Sequence, residues 1–180
     1  MIALTSVVLG LLASLSSATF VTLDNNCGYQ VDAAFFPTVE FNQSQTGGFA
    51  LTSAHPSATV LLADNYDGEI WGRTGCDANG NCESGGCPGG ESCTAPLDTY
   101  ATIARFHLNA TNGLDEFGVN DGLGFNIPVT ITPGPGCKRI PSMCGSSVGS
   151  VDCTNWGNEG NGCGDTNYCP TTVAYTVTFC

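Results

Sequence analysis

Basic residues are scarce in this chain: four Lys and Arg stand against sixteen Asp and Glu, for a formal charge of −12. Such a surface repels a phosphate backbone, which excludes nucleic acid as a partner. Histidine is limited to His55 and His107, and neither lies beside the Cys82, Cys87, Cys93 cluster. No zinc-binding set emerges, so no metal or cofactor is expected. Helical periodicity is also missing, and 24 glycines and 9 prolines interrupt most segments long enough to carry it. Long apolar runs are absent except for Ile2 to Leu15. That run carries no charge and ends in Ser16-Ser17-Ala18, which reads as a secretory signal peptide over residues 1–18 rather than a membrane anchor.

What the chain does have is cysteine. All eleven lie beyond residue 18, as expected of disulfides formed in an oxidising, extracellular compartment. The acidity fits solubility there. The triplets Asn42-Gln43-Ser44 and Asn109-Ala110-Thr111 are glycosylation acceptors expected on the surface. Residues 19–180 are expected to form one monomeric domain.

Short alternating segments predict strands at Phe20–Leu23, Val31–Phe36, Ala58–Ala63, Glu69–Arg73, Ala101–Leu108, Asn126–Ile131 and Val173–Phe179. In the last, Val173, Tyr175, Val177 and Phe179 share one face and threonines and Ala174 the other, so one face is buried. The predicted fold class is all-β, an antiparallel β-sandwich with disulfide-stapled loops. Residues 76–98 and 134–170 are rich in Cys and Gly and poor in apolar side chains, so covalent bridges must order them.

Several motifs occur in a fixed order: Asn25-Asn26-Cys27, Ile70-Trp71-Gly72-Arg73-Thr74-Gly75-Cys76, Cys82 with Cys87 and Cys93, Thr102-Ile103-Ala104 before Phe106, Gly124-Phe125-Asn126-Ile127-Pro128, and Val177-Thr178-Phe179-Cys180. In order and spacing the chain resembles the thaumatin-like proteins over nearly all of residues 19–180. The resemblance implies the pairs Cys27–Cys180, Cys76–Cys82, Cys87–Cys93, Cys137–Cys169 and Cys144–Cys153. Cys163 is then the odd one: buried, linking two chains, or replacing Cys153 as the partner of Cys144.

Larger members of that family carry a second disulfide-rich domain between the positions of Cys144 and Cys153. Only eight residues separate them here. The resemblance therefore implies a short form whose acidic cleft lacks one wall. The family is associated with β-1,3-glucan binding, antifungal defence and, in some members, weak endo-β-1,3-glucanase activity. Some short members inhibit microbial xylanase. The implied partner is thus a polysaccharide, β-glucan first, or a secreted microbial enzyme.

Glycoside hydrolysis needs two carboxyl groups in different protonation states. The family's cleft arginine is matched by Glu69 and its cleft glutamate by Arg105, two charge reversals that predict a swapped ion pair. Arg105 keeps its proton and cannot act as the acid. Aligned without gaps, the two cleft aspartates fall on Gly118 and Leu123. A two-residue shift puts Glu116 and Asp121 there, the candidate catalytic pair. Asp115, Glu116 and Asp121 are expected in one loop near the groove, within which Asn120-Asp121-Gly122 signals a turn. Asp115, Glu69 and Arg105 are candidate binding residues. Tyr66, Tyr100, Trp156 and Tyr168, in polar Gly-rich contexts, are candidates for stacking on sugar rings, whereas Trp71 belongs to the core. Asp77-Ala78-Asn79-Gly80-Asn81 imitates a calcium loop, but Cys82 and Pro88 occupy the positions that need Gly and Glu.

Overall fold

The computed structural model of the protein describes residues 18–120, 123–139, 141–144 and 166–180. The expected signal peptide, Asp121, Cys153, Trp156 and Cys163 lie outside the described residues, apart from Ala18. The described chain is all-β, with no helix long and apolar enough to cross a membrane. Its strands are β1 (Thr19–Asn25), β2 (Val31–Phe41), β3 (Ser44–Leu51), β4 (Ser57–Leu62), β5 (Asp67–Arg73), β6 (Ile103–Thr111), β7 (Leu114–Asn120), β8 (Val129–Pro133), β9 (Ser142–Cys144), β10 (Asn167–Pro170) and β11 (Tyr175–Phe179).

The seven predicted strands are all present. β3, β7, β9 and β10 are additional, and β7 occupies what reads in sequence as a loop. The ladders also differ from the expected antiparallel sandwich. They join in one continuous sheet, β10-β7-β6-β5-β2-β4-β1-β11-β8-β9, with β3 attached to β2. The β1–β11 pair is parallel, Val21 beside Tyr175 and Leu23 beside Val177. The sheet curls until β8 and β9 return against β6 and β7, where the Val119 amide donates to Ser142 Oγ at 3.3 Å. Curling covers one face without a second, separately bonded sheet, and it leaves few exposed edges.

Alternation sets what lies inside. Val21 and Leu23 from β1, Val31 and Phe35 from β2, Ile70, Phe106, Phe117, Ile131, Val177 and Phe179 form one buried cluster. Asn42-Gln43 and Asn112-Gly113 close tight hairpins between Phe41–Ser44 and Thr111–Leu114. Their φ angles of 49°, 64°, 54° and 73° are those of the type I′ turn, which matches the twist of the strands it joins. Asn42 thus stands exposed at a hairpin tip.

A second cluster explains how residues 76–98 hold their shape. Trp71, Ala34, Ile103, Cys93, Leu97 and Ala101 pack together on the outer face of β2 and β5. The indole Nε1 of Trp71 donates to Gly85 O at 2.8 Å, as its place in the core requires. Arg73 is 1% exposed, and its guanidinium donates to the carbonyls of Asp32, Ala33, Gly90 and Glu91. One buried side chain therefore ties the loop to β2. Burial pulls the Arg73 pKa below its ordinary value, opposed by the charges of Asp32 and Glu91. β3 passes so close beneath this loop that a Cβ at Gly47 would lie 2.1 Å from Cys93 O.

Four of the implied bridges are formed: Cys27–Cys180, Cys76–Cys82, Cys87–Cys93 and Cys137–Cys169. Cys144 is disulfide-bonded as well. These bridges fit the oxidising, extracellular setting read from the cysteine count. Asp77 accepts hydrogen bonds from the amides of Asn79 and Asn81 and from Asn81 Nδ2, closing the hairpin that imitates a calcium loop.

Candidate functional site

Where β5, β6 and β7 lie side by side, their outward positions line up. Asp67 pairs with His107 and His107 with Glu116. The next row holds Glu69, Arg105 and Gly118, and Tyr168 of β10 follows Glu116. The inward positions, Ile70, Phe106, Phe117 and Val119, are buried, which forces the charged set to the surface. The result is a shallow cavity of about 270 Å³ lined by Asp67, Arg105, His107, Glu116, Gly118 and Asn120, among others.

Charge is uneven within it. Asp67 and Glu116 bring two carboxylates and Arg105 one guanidinium, with Glu69 beside Arg105 on the same face. Arg105 Nε stands 3.8 Å from Glu69 Oε1, with side-chain exposures of 58% and 28%. The swapped ion pair inferred from the two charge reversals is present. An exposed pair of this kind contributes only about 0–1 kcal/mol. Its consequence is to orient the guanidinium over the groove, while the facing Gly118 leaves space without a side chain.

The predicted site residues divide. Glu69, Arg105 and Glu116 come together on the groove face. Asp115 does not: it lies in β7 rather than a loop, is 0% exposed and points inward. Its Oδ2 accepts from the Tyr175 hydroxyl at 3.0 Å and its Oδ1 from the Asn109 amide at 3.0 Å. Period-two alternation puts Asp115 and Glu116 on opposite faces, so the neighbouring carboxylates have different roles. Burial, then the charge and hydrogen bond of Asp115, push the Tyr175 phenol well above its usual range. Asp115 also stabilises the irregularity in β6 at which Asn109 stands exposed with φ 52°.

Tyr66 is a second correction. It is 5% exposed, and its hydroxyl donates to Pro37 O and Glu69 O at 3.1 and 3.3 Å, so its ring cannot stack on a bound sugar. Burial, with the nearby Glu69 charge, raises its pKa. Tyr100 is 47% exposed but stands beside Gly124 instead of lining the groove. Tyr168, 40% exposed, is the aromatic ring in register with the groove. Asp67, His107 and Asn120 were not anticipated as site residues. The alternation of Arg105 and His107 with buried Ala104, Phe106 and Leu108 was the available signal.

The fold and groove thus define a disulfide-stapled, all-β protein with a shallow polar groove on the outer face of β5, β6 and β7. The sequence profile of the thaumatin family matches residues 25–163. A thaumatin-like pathogenesis-related protein 4 from Avena sativa is 32% identical, over 93% of this chain and 90% of its own. The pathogenesis-related thaumatin-like protein 3.2 of Cryptomeria japonica is 28% identical over 90% and 80%. Zeamatin from Zea mays is 33% identical over 78% of this chain and 61% of its own. Among solved structures, the protein elicitor MoHrip2 from Magnaporthe oryzae superposes with a TM-score of 0.54 at 15% identity, covering 91% of this chain and 99% of that one. That likeness concerns the fold. The chain belongs to the thaumatin family.

Proposed function

We propose that the protein is secreted, acts in defence or wall interaction as its pathogenesis-related relatives are named for, and binds β-1,3-glucan along the face of β5, β6 and β7. The supporting observation is the groove itself: carboxylates and a guanidinium able to exchange hydrogen bonds with sugar hydroxyls, beside Tyr168 for ring stacking. Binding is favoured over hydrolysis because Arg105 occupies the position matched to the family's cleft glutamate, and Gly118, opposite it, has no side chain.

Retention on insoluble β-1,3-glucan without release of soluble sugar is the expected result. Replacing Arg105 by Ala and Glu116 by Gln together should weaken retention by about tenfold. Sugar release abolished by Glu116→Gln would make the protein a glucanase. Xylanase inhibition with no retention would overturn the glucan reading.

A further inference from the structure

At the far end of β5 from the groove, beyond Arg73, lies a second cavity of about 540 Å³. Its walls include Tyr29, Gln30, Asp32, Glu83 and Ile127. We infer that this cavity is a second carbohydrate site, selective for a short, neutral oligosaccharide. It goes beyond the groove and does not depend on it.

The chemistry of the lining carries the inference. Tyr29 is 53% exposed, and its ring offers the apolar surface that the C–H face of a sugar needs, with buried Ile127 closing the wall behind. Asp32 is 7% exposed, and Gln30 Nε2 donates to its Oδ1 at 2.7 Å. Glu83 is exposed at the rim. No lining residue of the cavity is cationic. The nearby Arg73 is turned away, its donors spent on backbone carbonyls. Asp32 lies in the field of the buried Arg73 guanidinium, while Glu83 at the rim faces no cationic lining residue, and both carboxylates offer oxygens as acceptors. Hydroxyl donors suit them, and an anionic sugar would be repelled.

The walls are held in place before any ligand arrives. The Asn126 amide donates to Gly72 O at 2.8 Å and Ser84 Oγ at 2.9 Å, and its Oδ1 accepts from the Thr102 amide at 2.9 Å. The Cys76–Cys82 bridge fixes the opposite wall. Such preorganisation reduces the entropy lost on binding, and the volume suits two or three sugar rings. Two sites on one chain would bind neighbouring stretches of a polymer with avidity.

The test uses protein carrying Arg105→Ala and Glu116→Gln, so that failure of the groove and failure of this site are told apart. Calorimetric titration with the neutral trisaccharides laminaritriose and chitotriose should show one-to-one binding of at least one of them. Adding Tyr29→Ala or Glu83→Gln, both at exposed positions, should weaken that binding tenfold or more, and trigalacturonic acid should not bind. The inference is overturned if neither neutral sugar binds, if Tyr29→Ala and Glu83→Gln both leave affinity unchanged, or if trigalacturonic acid binds equally well. Stronger, salt-sensitive binding of fully deacetylated chitosan trimer would likewise overturn it, in favour of a cation site.

Discussion

Two outward faces of the same sheet are built by the same alternation and differ in nearly everything else. On β4, β1, β11 and β8, Thr59, Thr22, Thr176 and Thr132 stand in one cross-strand row. The next row holds Ser57, Asp24, Thr178 and Thr130. Neighbouring polar groups satisfy one another: the Thr22 and Thr59 hydroxyls bond at 3.2 Å, and Ser57 Oγ donates to Asp24 Oδ1 at 2.6 Å. On β5, β6 and β7 the corresponding positions hold Asp67, Glu69, Arg105, His107 and Glu116, with Gly118 opening a space among them. Polar-out alternation is enough to make a soluble sheet. The groove adds unlike charges around a space left by a missing side chain.

The walls bearing these faces are tied together, and cutting the ties should separate their contributions. Cys27–Cys180 fastens the threonine side and closes a sequence separation of 153, whereas Cys87–Cys93, with a separation of 6, fastens only the loop packed over Trp71. In the chain-entropy account their removal as Cys→Ser pairs should cost on the order of 5 and about 2 kcal/mol, respectively. Urea unfolding measures both, and equal losses would refute the account's ranking.

The hydrogen bond from Tyr175 to Asp115 joins β11 to β7 across the interior. Tyr175→Phe leaves a buried carboxylate short of one donor and should cost about 1–3 kcal/mol. It should also change the alkaline limb. The folded-state pKa values of Tyr66 and Tyr175 both lie above the ordinary phenol value. Their stabilisation is therefore fully present below about pH 10 and is lost as pH rises above that value, where only the unfolded chain releases the protons. Thermal melts between pH 8 and 11 should show a shallower decline for Tyr175→Phe than for the parent.

The smallest effect belongs to the ion pair. Arg105→Ala should shift stability by less than about 1 kcal/mol, because both partners are partly exposed and screened by solvent. It should nevertheless weaken glucan retention. A large stability loss with unchanged retention would make the pair structural.

How much of this was legible in the sequence depended on which signal each element carried. β11 and β6 showed themselves because their alternation is nearly pure. β7 was hidden because Asp115 occupies an inward position, where a charge breaks the expected pattern, and because Asn120-Asp121-Gly122 suggested a turn. The β6–β7 hairpin itself turns at Asn112-Gly113, while Asp121 and Gly122 lie outside the described residues. β3 was obscured by Gly47 and Gly48, which are there to let the disulfide loop approach. β9 and β10 are too short, at 3 and 4 residues, for periodicity to register. The cysteine pairing came from the family resemblance, since spacing alone does not determine it. Within the site, the reversed charges at Glu69 and Arg105 could be read in advance. The burial of Tyr66 and Asp115 could not, because each depends on partners distant in sequence, Pro37 for one and Tyr175 for the other.

The difference between the two faces is tested most directly by following backbone amide resonances of the labelled protein during titration with laminaritriose. The account predicts shifts at Arg105, His107, Gly118 and Tyr168 that saturate together, with Thr22, Thr176 and Thr132 unmoved. Shifts centred on the threonine rows, or a groove that stays silent at saturating sugar, would contradict it.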